Sequence, residues 1–83
     1  MSGGKQISIL LEFSGVLDVR GAQNGASVEI PEGATVAGLL HHLKVRPNHH
    51  RHVVPFVNGA RKRLTHRLEA GDRVFLTVPI GGG

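Results

Sequence analysis

Residues 28–43 read Val-Glu-Ile-Pro-Glu-Gly-Ala-Thr-Val-Ala-Gly-Leu-Leu-His-His-Leu, and within them the hydrophobic period changes from that of a strand to that of a helix. Val28 and Ile30 flank Glu29, as in a strand with one buried face. Pro31 ends that strand and Glu32-Gly33 turns the chain. Thr35 then stands as an N-cap before Val36, Leu39, Leu40 and Leu43, whose i, i+3, i+4, i+7 spacing gives one apolar stripe. No other stretch carries a convincing helical period. The helix is expected to end near Lys44-Val45-Arg46, because Pro47 disfavours helical geometry in the residue before it and cannot continue a helix.

Outward from this joint, the chain reads as strands. Upstream, the strand extends over Ala26–Ile30 with Ala26, Val28 and Ile30 inward, and Gln6–Phe13 alternates with Ile7, Ile9, Leu11 and Phe13 on one face. The segment from Ser14 to Gly25, with Gly15, Gly21, Asn24 and Gly25, reads as a loop. Downstream, His52–Val57 is a strand in which Pro55 lacks a donor and points to an edge or irregular ladder. Asn58-Gly59 is a hairpin turn, Ala60–Leu64 a short basic return strand, and Thr65–Ala70 a turn that tucks Leu68 inward. Gly71-Asp72 launches the most strand-like run, Arg73–Val78. One helix on one face of a mixed sheet of four or five strands is the economical way to bury this pattern, an α+β architecture with the other face open. Phe75 and Leu10, with Val53 or Val57, are out of phase with the inward residues and are expected to form an apolar patch there.

The 83 residues fit a single domain spanning residues 1–83. Its folded body is expected at 5–79, followed by a tail at 80–83. With no cysteine, there is neither a disulfide nor a thiolate metal or iron–sulfur site, and Ile, Val and Leu must build the core. A net charge of +4 asks for an anionic partner without saying which. The N-terminal apolar run, broken by Ser8 and Glu12, is too short and polar for a signal peptide or membrane span, so a cytoplasmic protein with no membrane partner is the expectation.

Several constellations invite chemistry and are set aside. His41-His42, His49-His50, His52 and His66 suggest a metal, but adjacent helical histidines diverge by about 100°, and no acidic residue stands close in sequence. They read as solvated surface and loop residues, with no metal site. The basic run from Arg61 to Arg67 has no interleaved aromatic residue for bases to stack on, which argues against nucleic acid. No phosphate-cradling loop, Ser/His/Asp order or carboxylate pair is present, so no catalytic residue is assigned.

The remaining feature is Val78-Pro79-Ile80-Gly81-Gly82-Gly83. Composition leaves two readings open: a Gly-rich linker end, or a slim tail whose terminal carboxylate enters another protein's active site.

The order of elements resembles a β-grasp (ubiquitin-like) domain, and its C-terminal half is similar to the ThiS/MoaD family of ubiquitin-like sulfur carriers. The matching residues are Pro31-Glu32-Gly33-Ala34-Thr35-Val36, Val57-Asn58-Gly59, Gly71-Asp72 and Gly82-Gly83. The resemblance implies a carrier that is a co-substrate of other enzymes. Gly83 would be the adenylate and thiocarboxylate attachment point, and Gly82, Gly81, Ile80 and Pro79 the segment threading a partner's channel. It also implies no bound cofactor, ATP being used by a partner adenylating enzyme of the ubiquitin-activating kind. A sulfur donor and a sulfur-accepting synthase, of which this chain could form the small subunit, complete the partners; molybdopterin- and thiazole-type pathways both fit. Docking is expected at Phe75, Leu10, Arg61, Arg63 and Arg73. Many members of the family are acidic whereas this chain is basic, so its partner needs an acidic face. Alternatives are a protein modifier conjugated through Gly83, or a basic nucleic-acid-binding β-grasp module.

Overall fold

The computed structural model describes residues 5–14, 17, 19–45, 50 and 52–78. Five strands and one helix follow in the order β1 (Gln6–Phe13), β2 (Ser27–Pro31), α1 (Val36–His42), β3 (Val54–Val57), β4 (Ala60–Arg61) and β5 (Arg73–Thr77). They form one mixed sheet of order β2-β1-β5-β3-β4. β1 and β5 run parallel at its centre, and the other pairings are antiparallel. This is the expected β-grasp arrangement.

The helix forms where the apolar stripe places it. Thr35 caps it, its Oγ1 accepting from the Gly38 N–H at 3.1 Å. The two preceding amides, which no helical turn can satisfy, donate outward: Val36 N–H to the His66 carbonyl and Ala37 N–H to that of Leu64. The segment after β4 therefore turns away to serve the helix, which is why β4 stops at Arg61 instead of continuing to Leu64.

The helix ends sooner than expected and for another reason. Lys44 takes a left-handed conformation (φ 61), its N–H donating to the His41 carbonyl while Val45 N–H donates to that of Leu40. This is a Schellman motif with lysine where glycine is usual, and it closes the helix before Pro47 is reached. The amides of Arg20 and Gly21 both donate to the Leu43 carbonyl, pinning the loop after β1 to the helix end.

Val36, Leu39, Leu40 and Leu43 are all fully buried, packing with Ile9, Leu11, Ile30, Val74 and Leu76 from the sheet. Each such side chain contributes roughly 1.5–3 kcal/mol on burial. Leu17 and Leu68 join them, the latter as expected. Ile7 and Phe13 pack against the core's edge, so the phase read for β1 holds along its length.

Other strand boundaries depart from expectation too, β5 ending at Thr77 rather than Val78. β2 runs from Ser27 and includes Pro31, paired with Gln6; on an edge strand the missing donor costs little. β3 begins at Val54, because the chain makes a short turn in which Val53 N–H donates to the His50 carbonyl. Pro55 lies in β3, an interior strand, paired with Leu76. Its carbonyl points toward the β4 side and accepts from Lys62 N–H, so the direction in which it lacks a donor faces the short edge strand. No helix among the described residues is long and apolar enough to cross a membrane.

Candidate functional site

The helix covers one face of the sheet and leaves the other open. Because directly paired residues share a face, the register sets out what that face carries. Glu12 pairs with Phe75, Phe75 with Phe56, and Phe56 with Arg61. These four residues form one row across β1, β5, β3 and β4. In the next row Leu10 of β1 pairs with Arg73 of β5.

Phe75 is the one exposed large hydrophobic residue among those described, at 38%. Its ring centroid lies 6.3 Å from that of Phe56, with the planes inclined by 45°. Phe56, Gly59, Arg73 and Phe75 line a shallow hollow of ≈ 340 Å³. Leu10 is half-buried on this face, while Arg61, Arg63 and Arg73 are exposed, and their side chains pair with no described residue.

The apolar patch therefore exists, with one correction. Val53 and Val57, the other residues expected in it, are buried in the core at 6% and 3% exposure. Val57 pairs with the fully buried Val74 and so faces the helix. Phe56, one residue earlier and in the opposite phase, takes the place beside Phe75. Alternation is the one signal that could have found it: once Pro55 and Val57 are known to face inward, Phe56 must face outward. The structure also sets this aromatic pair beside Arg61, which the linear run Arg61 to Arg67 does not reveal.

The start of β5 is fixed by a side-chain clamp. Asn58, left-handed at φ 53 before Gly59 at φ 85, makes the tight turn expected at Asn-Gly. Its Oδ1 accepts from Arg73 N–H at 2.9 Å, and its Nδ2 donates to Asp72 Oδ1 at 2.9 Å. Asp72 Oδ2 accepts in turn from Glu69 N–H at 2.8 Å. The turn that bounds the hollow is thereby tied to the strand carrying Arg73 and Phe75.

The histidines divide. His41, His42 and His52 are exposed, but His50 is buried at 9%, against the expectation that all are solvated. Its Nε2 lies 2.9 Å from the Val45 carbonyl oxygen, which can only accept, so that nitrogen carries the proton. Its ring meets the edge of His41 with centroids 4.9 Å apart. No group of three or more His, Asp or Glu placed to hold one metal ion occurs among the described residues.

The expected attachment residue Gly83, and the channel segment Pro79, Ile80, Gly81 and Gly82, lie outside the described residues. The described chain runs to Val78, directly after β5 and thus off the centre of the sheet. Of the expected site, the structure brings together Phe75, Leu10, Arg61 and Arg73 on the open face, whereas Arg63 lies beyond the end of β4.

A profile of the ThiS family matches residues 18–83. Among solved structures, small archaeal modifier protein 1 of Haloferax volcanii superposes with a TM-score of 0.67 at 22% identity, over 89% of this chain and 99% of that one. Another Haloferax volcanii protein, HVO 2177, does so with 0.72 at 21% identity, over 99% and 100%. A ubiquitin of Caldiarchaeum subterraneum gives 0.53 at 17% identity, over 95% and 100%. No curated protein matches the chain.

Proposed function

This chain belongs to the ThiS family, and on that footing we propose that it is a sulfur carrier rather than an enzyme, with the carboxylate of Gly83 as its working group. The observation that carries the reading is the family match, which extends over β5 and the glycine run. The physical logic supports it. A carboxylate is ionised at neutral pH and a poor electrophile. A partner enzyme therefore joins a Gly83 oxygen to the α-phosphorus of ATP, with pyrophosphate leaving. Hydrosulfide released by a sulfur donor then attacks the acyl carbon, and the C–O bond to AMP breaks with AMP taking the electron pair. The S–H proton goes to solvent, and a thiocarboxylate remains.

Gly81 and Gly82 have no side chains and suit a narrow channel, with Pro79 and Ile80 as the step between strand and reach. Phe75, Leu10, Arg61, Arg63 and Arg73 would dock the folded body. The thiocarboxylate then serves a sulfur-accepting synthase of the molybdopterin or thiazole kind, or one that makes another sulfur metabolite.

Intact-mass analysis of the protein produced with its adenylating enzyme should show one oxygen replaced by sulfur, at the C-terminal residue. A plain carboxylate with every adenylating enzyme encoded beside it would sink the proposal. A second reading is favoured by the likeness to a small archaeal modifier protein and a ubiquitin: the same adenylate is passed to a lysine of a target protein. Conjugates linked through Gly83 in cell lysate would support that reading, and both require the same first step.

A further inference from the structure

The row Glu12–Phe75–Phe56–Arg61 is polarised, with a carboxylate at one end, a guanidinium at the other and two aromatic rings between. Three strand spacings separate its ends, roughly 14 Å. That exceeds the Debye length of about 8 Å at physiological salt, so the two charges act on a partner independently. Arg73 adds a second positive charge two residues from Phe75 on the same face, and it lines the hollow with both phenylalanines. The side chains of Arg61 and Arg73 pair with no described residue.

We infer that this face selects an acidic, apolar protein surface and fixes the direction in which it docks. The partner inserts one aliphatic or aromatic side chain into the hollow over Phe56 and Phe75. It sets carboxylates against Arg61 and Arg73, and offers a basic or neutral group to Glu12. Turned end for end, the same surface sets its carboxylates against Glu12 and leaves Arg61 without an opposite charge. Arg61, Arg73 and Glu12 are thus the specificity-determining residues, with Glu12 acting by repulsion as much as by attraction.

The face favours a protein over a single-stranded nucleic acid on three counts. Glu12, and Glu29 paired with Ser8 of β1, bring carboxylates to the face that would oppose phosphates. The rings are inclined by 45°, so they do not offer one flat stacking platform. The hollow, at ≈ 340 Å³, is at the bottom of the size range of ligand pockets and suits one inserted side chain.

As a deepening of the carrier reading, the inference rests on it for the partner's identity, but the surface is testable without any enzyme. The full chain, labelled with nitrogen-15, is titrated with a peptide bearing one leucine among aspartates and glutamates, with its lysine counterpart, and with oligouridylate. The acidic peptide should shift the amides of Arg61, Arg73 and Phe75. Its affinity should fall at least tenfold in Arg61→Glu/Arg73→Glu, and the lysine peptide should bind at least tenfold more weakly to the wild type. Equal binding of the two peptides, shifts centred elsewhere, unchanged affinity in the double variant, or oligouridylate binding more tightly than the acidic peptide at this face would each overturn the inference. ATP–pyrophosphate exchange with the adenylating enzyme adds the functional arm. The double variant should raise KM for the carrier at least tenfold and leave kcat unaltered. Absence of exchange with the wild-type chain would count against the carrier proposal alone, the titration still deciding the surface.

Discussion

Replacing Asn58 by aspartate changes one amide nitrogen to oxygen, and the clamp at the start of β5 sets the consequence. Asn58 Nδ2 donates to Asp72 Oδ1 at 2.9 Å while Asn58 Oδ1 accepts from Arg73 N–H. In Asn58→Asp the second bond survives and the first becomes a contact between two carboxylates. The lost hydrogen bond is worth about 1 kcal/mol. Two like charges about 4 Å apart in a solvent-exposed setting add about 1 kcal/mol of repulsion. A total near 2 kcal/mol lowers Tm by roughly 8–16 °C in a domain of this size, measured by thermal denaturation followed by circular dichroism. The decisive variant is Asn58→Asp/Asp72→Asn, which exchanges the two groups. The amide introduced at position 72 would then donate to the carboxylate introduced at position 58 and still accept from Glu69 N–H, rebuilding every bond of the clamp with the direction of one reversed. It should recover most of the lost stability. A double variant no more stable than Asn58→Asp would refute the reasoning.

Lys44→Gly should raise stability by about 1 kcal/mol, because the left-handed C′ position of α1 costs a side-chain-bearing residue and not glycine. Lys44→Ala, which keeps the strain, should show no such gain in denaturant midpoint. Gly21→Ala should cost about 2 kcal/mol, since its Cβ would sit 2.8 Å from Leu43 Cα and 2.9 Å from the His42 oxygen, both backbone atoms; urea titration measures this. His50→Leu should cost about 1–3 kcal/mol by leaving the buried Val45 carbonyl without its donor. The corresponding His52→Leu, at an exposed position, should be close to neutral in the same titration.

What can be read along the chain is what local chemistry decides. The Thr35 cap and the stripe Val36, Leu39, Leu40, Leu43 are one-dimensional patterns, and the helix sits on them. The same holds for the alternation of β1 and for the Asn58-Gly59 turn. The docking face is legible in part, because Phe75 and Arg73 are out of phase with Val74 in their own strand. The row itself is not, since placing Glu12, Phe75, Phe56 and Arg61 side by side needs three pairings between segments distant in sequence. Phe56 stands between apolar neighbours on both sides, so alternation in its strand is muted, and only the inward phase of Pro55 and Val57 points to it. Pro47 is a visible helix breaker, whereas a left-handed lysine leaves no mark in composition, so the true stop at Lys44 is hidden from a linear reading. The burial of His50 is hidden likewise. Only the fold brings it against the Val45 carbonyl and His41.

The parallel pairing of β1 and β5, with β3 on the other flank of β5, has a mechanical consequence. Consider a pull applied at Val78 along the axis of β5. It loads the ladders to Leu10–Phe13 and to Val54–Val57 in shear, all bonds together, instead of unzipping them one at a time. Extracting β5 along that axis therefore requires both ladders to give way together.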